Sequence, residues 1–268
     1  GYYERLLPLL LESEKIDVMM QIGEVWRLIG QWDDAEAIFR DALVIAETLG
    51  DDVARARCLD AIGYVFTTRG DYSEALTWFD QAYQVTESLD NPPTLLSVYE
   101  HLGYTHWLAA NFDEAIHFAN QHLQMATEAE NNKGVGDALR NLGGVYMFQE
   151  DFPSAIDAFE RSFQAATDHH YQQGAIYSSA NLGMTYGMSG DFFRAIQQYN
   201  QALIVAQEIG YLQSIASLVN NVGEEYRLLG AYQEAMACNE YALSVLIDLG
   251  DWRTPMVSLG YIAAIFAL

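Results

Sequence analysis

The residues whose chemistry could make this chain a catalyst or a metal binder are its histidines and paired acids. Four of the six histidines, His101, His106, His117 and His122, fall in one stretch. Within each pair the spacing is five residues, whereas side chains share a helical face at three or four. They therefore read as packing variants, and no metal ion is expected. The paired acids Glu224-Glu225 and Asp51-Asp52 could move protons only inside a pocket that perturbs them, and read as solvated or capping groups. Gly134, Gly136 and Gly143-Gly144 lack the lysine and the preceding strand that make a phosphate-binding loop. No nucleophile stands at a recognisable spacing from a base. The expectation is a protein that is not an enzyme and needs no cofactor.

Charge narrows the partners. With 37 acidic against 13 basic residues the net charge is −24, which opposes binding to a phosphate backbone that depends on basic side chains displacing counterions. Nucleic acid is not an expected partner, and the excess acid reads as a solvated exterior. Cys58 and Cys238 lie in helical patterns as small apolar residues, so a reducing, cytoplasmic location is expected. No apolar run reaches the length of a membrane span, and no leader with a basic start is read at the N-terminus.

What positions these residues is a repeat. Glycines recur at Gly23, Gly63, Gly103, Gly143, Gly183 and Gly223, a period of 40 residues without insertion. Nine residues beyond each stands an aromatic, namely Trp32, Tyr72, Phe112, Phe152, Phe192 and Tyr232. Twelve beyond stands an alanine, from Ala35 through Ala75, Ala115, Ala155 and Ala195 to Ala235. A glycine inside an apolar helical pattern costs about 1 kcal/mol relative to alanine, so six of them imply a close helix approach. The alanine twelve residues on is the expected neighbour. Gly70 suits the left-handed end of one helix, and Asp71 with Glu74, like Asn111 with Glu114, suggests a capping box that opens the next. Pro92 and Pro93 fit a helix start.

The pattern Leu59, Ile62-Gly63, Phe66, Ala75, Phe79 and Ala82 resembles the tetratricopeptide repeat, whose usual period is 34 residues. The longer unit is similar to the extended subclass of kinesin light chains and spindle-orientation adaptors. The resemblance implies an all-α fold, an α-solenoid of antiparallel helix pairs wound as a right-handed superhelix. Six such repeats are expected over residues 12–251, preceded by a partial helix at 1–11 and followed by the first helix of a truncated seventh at 252–268. Departures from the pattern are His122 and Ser162 for the late alanine, Ala119 and Asn239 for the second aromatic, and Ala110 and Glu150 for the glycine between helices.

In that family the first helix of each pair lines a concave groove. Carried over by register, the groove presents Arg57, Asp60, Tyr64, His101, Tyr104 and Trp107 in one half. Its other half presents Arg140, Asn141, Met147, Tyr177, Asn181, Met184, Asn220, Asn221 and Arg227. Asn141, Asn181 and Asn221 share one position of three successive repeats. An amide both donates and accepts, so such a row suits the main chain of an extended peptide; it equally suits ties between neighbouring helices. The function implied is a non-catalytic module that binds a peptide or helix. The alternative is a regulatory or sensor segment of a larger signalling protein of the transcription-activator or nucleotide-cyclase type. The uncharged end Tyr261 to Leu268 leads us to expect a chain that continues past Leu268, and self-association through that end.

Overall fold

A computed structural model describes residues 10–89 and 91–248. Residues 1–9 of the partial helix expected at 1–11, and the truncated seventh repeat expected at 252–268 with the self-association expected of its end, lie outside them. Among the described residues there are twelve α-helices and no strand. The chain divides into two compact units, residues 1–128 and 129–268. The first unit holds α1 (Glu12–Leu28), α2 (Trp32–Leu49), α3 (Asp52–Arg69), α4 (Tyr72–Thr86), α5 (Pro92–Leu108) and α6 (Phe112–Glu128). The second holds α7 (Asn132–Phe148), α8 (Phe152–Asp168), α9 (Gln172–Met188), α10 (Phe192–Glu208), α11 (Leu212–Leu228) and α12 (Tyr232–Asp248). Among the described residues each unit holds three antiparallel helix pairs.

Most of the described helices stop where one residue adopts the left-handed conformation. Gly70, at φ 88°, lets its own N–H reach Thr67 O at 3.1 Å and the Asp71 N–H reach Phe66 O at 3.0 Å, the pair of hydrogen bonds that closes a helix end. The same turn is made without glycine at Ala110, Glu130, Glu150 and His170, with φ between 52° and 61°. Helix starts are less uniform. Side chains of Asp51, Asn91, Asn131, Asp151 and Asp191 accept from the N–H three residues on, as N-caps do. The box expected at Asp71 is not formed, since that side chain makes no capping bond; Glu74 instead accepts from Trp78 Nε1 at 3.1 Å. Asn111 turns its amide to His106 Nδ1, 3.3 Å away.

The repeated glycine serves a different neighbour from the one expected. A Cβ placed on Gly23, Gly63, Gly143 or Gly183 would lie 2.3, 2.7, 2.7 or 2.6 Å from the ring of Phe39, Phe79, Phe159 or Tyr199, sixteen residues on. The ring of the second helix fills a notch in the first. These three phenylalanines are almost wholly buried, each burial being worth about 1.5–3 kcal/mol. The alanine twelve residues on is fully buried as well, but it is the ring that meets the glycine. Where Ala119 replaces the ring, the backbone itself closes in, with Ala119 N 3.3 Å from the Gly103 position. Ser162, which replaces the late alanine, donates to Gly136 O and accepts from Ser178 Oγ, both at 2.7 Å.

First and second helices bury themselves differently. Along α2 the buried residues Ala35, Ile38, Phe39, Ala42 and Ala46 form one stripe at the helical period. In α3 burial spreads from Ala54 to Thr67 over several faces, because α3 packs on α2, α4, α1 and α5. First helices touch the first helices of adjacent pairs, α1 to α3 and α3 to α5 in one unit, α7 to α9 and α9 to α11 in the other; second helices make no comparable contact. Each unit thus has an inner face made by its first helices. The half-buried aromatics Trp26, Phe66, Tyr146 and Tyr226 pack on the cores, as the sequence predicts. Cys58 is fully buried and its thiol is pushed up to about 12 by that burial, so it is inert at neutral pH.

Candidate functional site

In the first unit the inner face holds a cleft of about 440 Å³ between α3 and α5, open also to Met20 and Glu24 of α1. Four of the six residues expected here, Arg57, Asp60, Tyr64 and His101, line it together. Asp60 lies at the floor, 6 % exposed. Its carboxylate accepts from Ser97 Oγ at 2.7 Å and holds His101 Nδ1 at 2.8 Å. Such a pair is tenable in the interior because both oxygens are engaged. The His101 ring stacks on Tyr64, with centroids 4.3 Å apart and planes 17° apart, and the Arg27 guanidinium covers the Tyr64 ring at 4.4 Å. Burial alone would lower the His101 pKa, but the charge and hydrogen bond of Asp60, with help from Glu100, raise it overall. Arg57 stands exposed at the rim and meets Asp17 at 3.0 Å. Tyr104 and Trp107 are half-buried and lie against each other, centroids 5.5 Å apart, outside the cleft lining.

In the second unit a cleft of about 380 Å³ lies between α9 and α11. Tyr177 and Asn221, both expected in the groove, line it, together with Ala180, Tyr211, Ser214 and Ser217. The Tyr177 and Tyr211 hydroxyls meet at 2.8 Å; burial and this bond push the Tyr177 pKa up. Arg140 is held by Asp137 at 2.5 Å and lies 6.0 Å from the Tyr177 ring. Asp137, 2 % exposed, also receives Lys133 at 3.0 Å.

The asparagine row is not uniform. Asn141 is 5 % exposed, whereas Asn181 and Asn221 are half-exposed. Neither of the latter two makes a side-chain hydrogen bond with any described residue. Asn220 is 4 % and Met147 2 % exposed, and neither is among the described residues that line the two clefts. Met147 belongs to the core. Its position, four after the glycine, is where adjacent first helices meet: Thr67 bonds Thr105 at 2.8 Å, and a Cβ on Gly187 would strike Glu225. Met184 is exposed, and Arg227 is tied to Glu224 at 2.6 Å.

Register reasoning omitted Ser97 and Ser217, which occupy the same position as Arg57 and Tyr177 and could have been found from it. It missed Tyr211, which precedes the first turn of α11. It also missed Glu225, 6 % exposed, whose carboxyl burial and the neighbouring Glu224 push up to about 7. Valine or threonine fills that position from Val25 to Thr185, and the odd acid was the available signal. Among the described residues no cluster of three metal-ligating side chains occurs, and no helix is long and apolar enough to cross a membrane.

Comparison with known proteins agrees with this architecture. A family profile described as tetratricopeptide repeat matches residues 15–88 and 94–168, more than half of the chain. No curated protein matches in sequence. Among solved structures, a Rap protein complexed with competence and sporulation factor is 18 % identical over 93 % of this chain and 69 % of that one, with a TM-score of 0.71. A STAND protein of Pyrococcus horikoshii with a tetratricopeptide repeat sensor is 14 % identical, TM-score 0.70, over 99 % of this chain and 44 % of that one. A putative kinesin light chain of Podosopora anserina with nearly identical repeats is 15 % identical, TM-score 0.61, over 75 % of this chain and 98 % of that one. At these identities the likeness is one of fold.

Proposed function

Because the chain belongs to the tetratricopeptide repeat family, we propose that it is a non-catalytic interaction module that binds an extended polypeptide along the inner face of its first helices. The observation that carries this reading is the pair Asn181 and Asn221. They hold one position on successive first helices, Asn221 in the lining of a cleft, and have amides that no described residue engages. An amide left half-exposed and unbonded is ready to exchange water for a peptide N–H or C=O, whatever the peptide's sequence. Asn141, buried in the same register, serves the packing of its own unit in this account. The solved Rap complex supports the reading by analogy of fold.

The likeness to the repeat sensor of a larger STAND protein favours a second use of the same face. There the module would sense a polypeptide on behalf of an effector elsewhere in a longer chain. A cytoplasmic location is part of this proposal, and both uses require the same binding step. Capture on the immobilised chain, compared with the Asn181→Ala/Asn221→Ala variant, tests that step. Partners retained by the first and lost by the second support it, and an identical set of partners on both would sink it.

A further inference from the structure

The two clefts occupy the same place in the repeat. Arg57 and Tyr177 stand six residues before their glycines, and Asp60 and Ala180 three before. On the next first helix, Ser97 corresponds to Ser217 and His101 to Asn221. The recess is therefore a product of the helix spacing, and only the side chains differ between units. In the first unit an ionisable pair closes the floor, Asp60 with His101 at 2.8 Å, and Glu24 and Arg57 stand at the rim. In the second unit none of the described residues that line the recess is an aspartate, glutamate, lysine, arginine or histidine. The polar groups there are the amides of Gln213 and Asn221, the hydroxyls of Ser214 and Ser217, and two phenols of which one is held neutral well above its ordinary pKa.

An uncharged recess in a chain of net charge −24 discriminates by desolvation. A charged side chain entering it would shed water and meet no counter-charge among the described lining residues, which is costly, the nearby Arg140 being already paired with Asp137. An uncharged one would cover Ala180 and Leu218 and keep hydrogen bonds at the hydroxyl and amide rim. The unpartnered Asn221 amide lies at the same recess, so the main chain would be gripped where the side chain enters. We propose that the cleft between α9 and α11 is a side-chain pocket that selects an uncharged residue of an extended peptide, and that the equivalent cleft of the first unit, lined by the ionisable Asp60 and His101, does not duplicate it. The proposal rests on the peptide-binding reading given above.

The test is selection from a random peptide library on the intact chain and on Ser217→Lys and Ser217→Glu variants. Ser217 is exposed at the rim, so both variants keep the fold, which their helical circular dichroism verifies; Ser217→Gln serves as the neutral control. The native chain and the control should enrich an uncharged residue at one peptide position. At that position Ser217→Lys should enrich aspartate or glutamate several-fold, and Ser217→Glu lysine or arginine. A charged residue selected by the native chain, or the same preference in both charged variants, overturns the pocket while peptide binding itself stands. Failure of the native chain to enrich any peptide overturns both readings together.

Discussion

Gly143 and Phe159 interlock: a Cβ at residue 143 would lie 2.7 Å from Cε1 of the Phe159 ring, which is fully buried. The same relationship links Gly63 to Phe79 and Gly183 to Tyr199. The helix pair is thus set by a ring in a notch, so widening or filling the notch must displace the ring or part the helices.

Gly143→Leu should accordingly destabilise the second unit by about 3 kcal/mol, the upper end for overpacking a filled core. Phe159 has little room to yield, being enclosed by the core that also holds Ala155 and Met147. Urea unfolding followed by helical circular dichroism reads the change. An unchanged midpoint would mean that the ring does not define the crossing.

Glu150 ends α7 at φ 61°, a conformation that costs a residue with a Cβ roughly 1–2 kcal/mol. Its equivalents Gly30, Gly70, Gly190 and Gly230 avoid that cost. Glu150→Gly should therefore raise stability by about 0.5–1 kcal/mol, the remainder being offset by the chain entropy of glycine. Gly70→Ala should do the reverse. Equal thermal midpoints in both variants would contradict the strained turn.

The Asp60–His101 pair predicts a pH dependence. His101 has a folded pKa above its ordinary value, so the folded state holds the proton more tightly than the unfolded chain. Its contribution is complete below about pH 6.5, the ordinary histidine value, and is lost as pH rises through the raised folded value. The native chain should lose stability across that window. His101→Gln, which keeps a hydrogen bond to Asp60, should lose less, and a native-like slope in this variant would show that another group sets it.

The period of 40 residues and the helix-pair fold were legible because each repeat packs on its neighbours alone, so local spacing carries the architecture. The partner of the repeated glycine was not legible. Both an alanine and an aromatic follow it at fixed distances, and which one enters the notch depends on the helix crossing. Groove positions were legible where they fall between the helix contacts, as at Arg57, Tyr64, Tyr177 and Asn221. They failed at Met147, whose position is where adjacent first helices meet, and at Asn220, which is buried, since no single repeat reveals its neighbour's approach. The capping box at Asp71 failed for a local reason, as Glu74 is drawn to the Trp78 indole.

The most direct measurement is the affinity of a peptide selected on the native chain, determined by calorimetry for the native protein and for Asn181→Ala/Asn221→Ala. Two main-chain hydrogen bonds at about 0.5–1.5 kcal/mol each predict a loss of about 1–3 kcal/mol, a fall in affinity of roughly 5- to 150-fold, with the unfolding midpoint unchanged. Undiminished affinity in a folded variant would contradict the account, because the two amides would then have no part in holding the peptide.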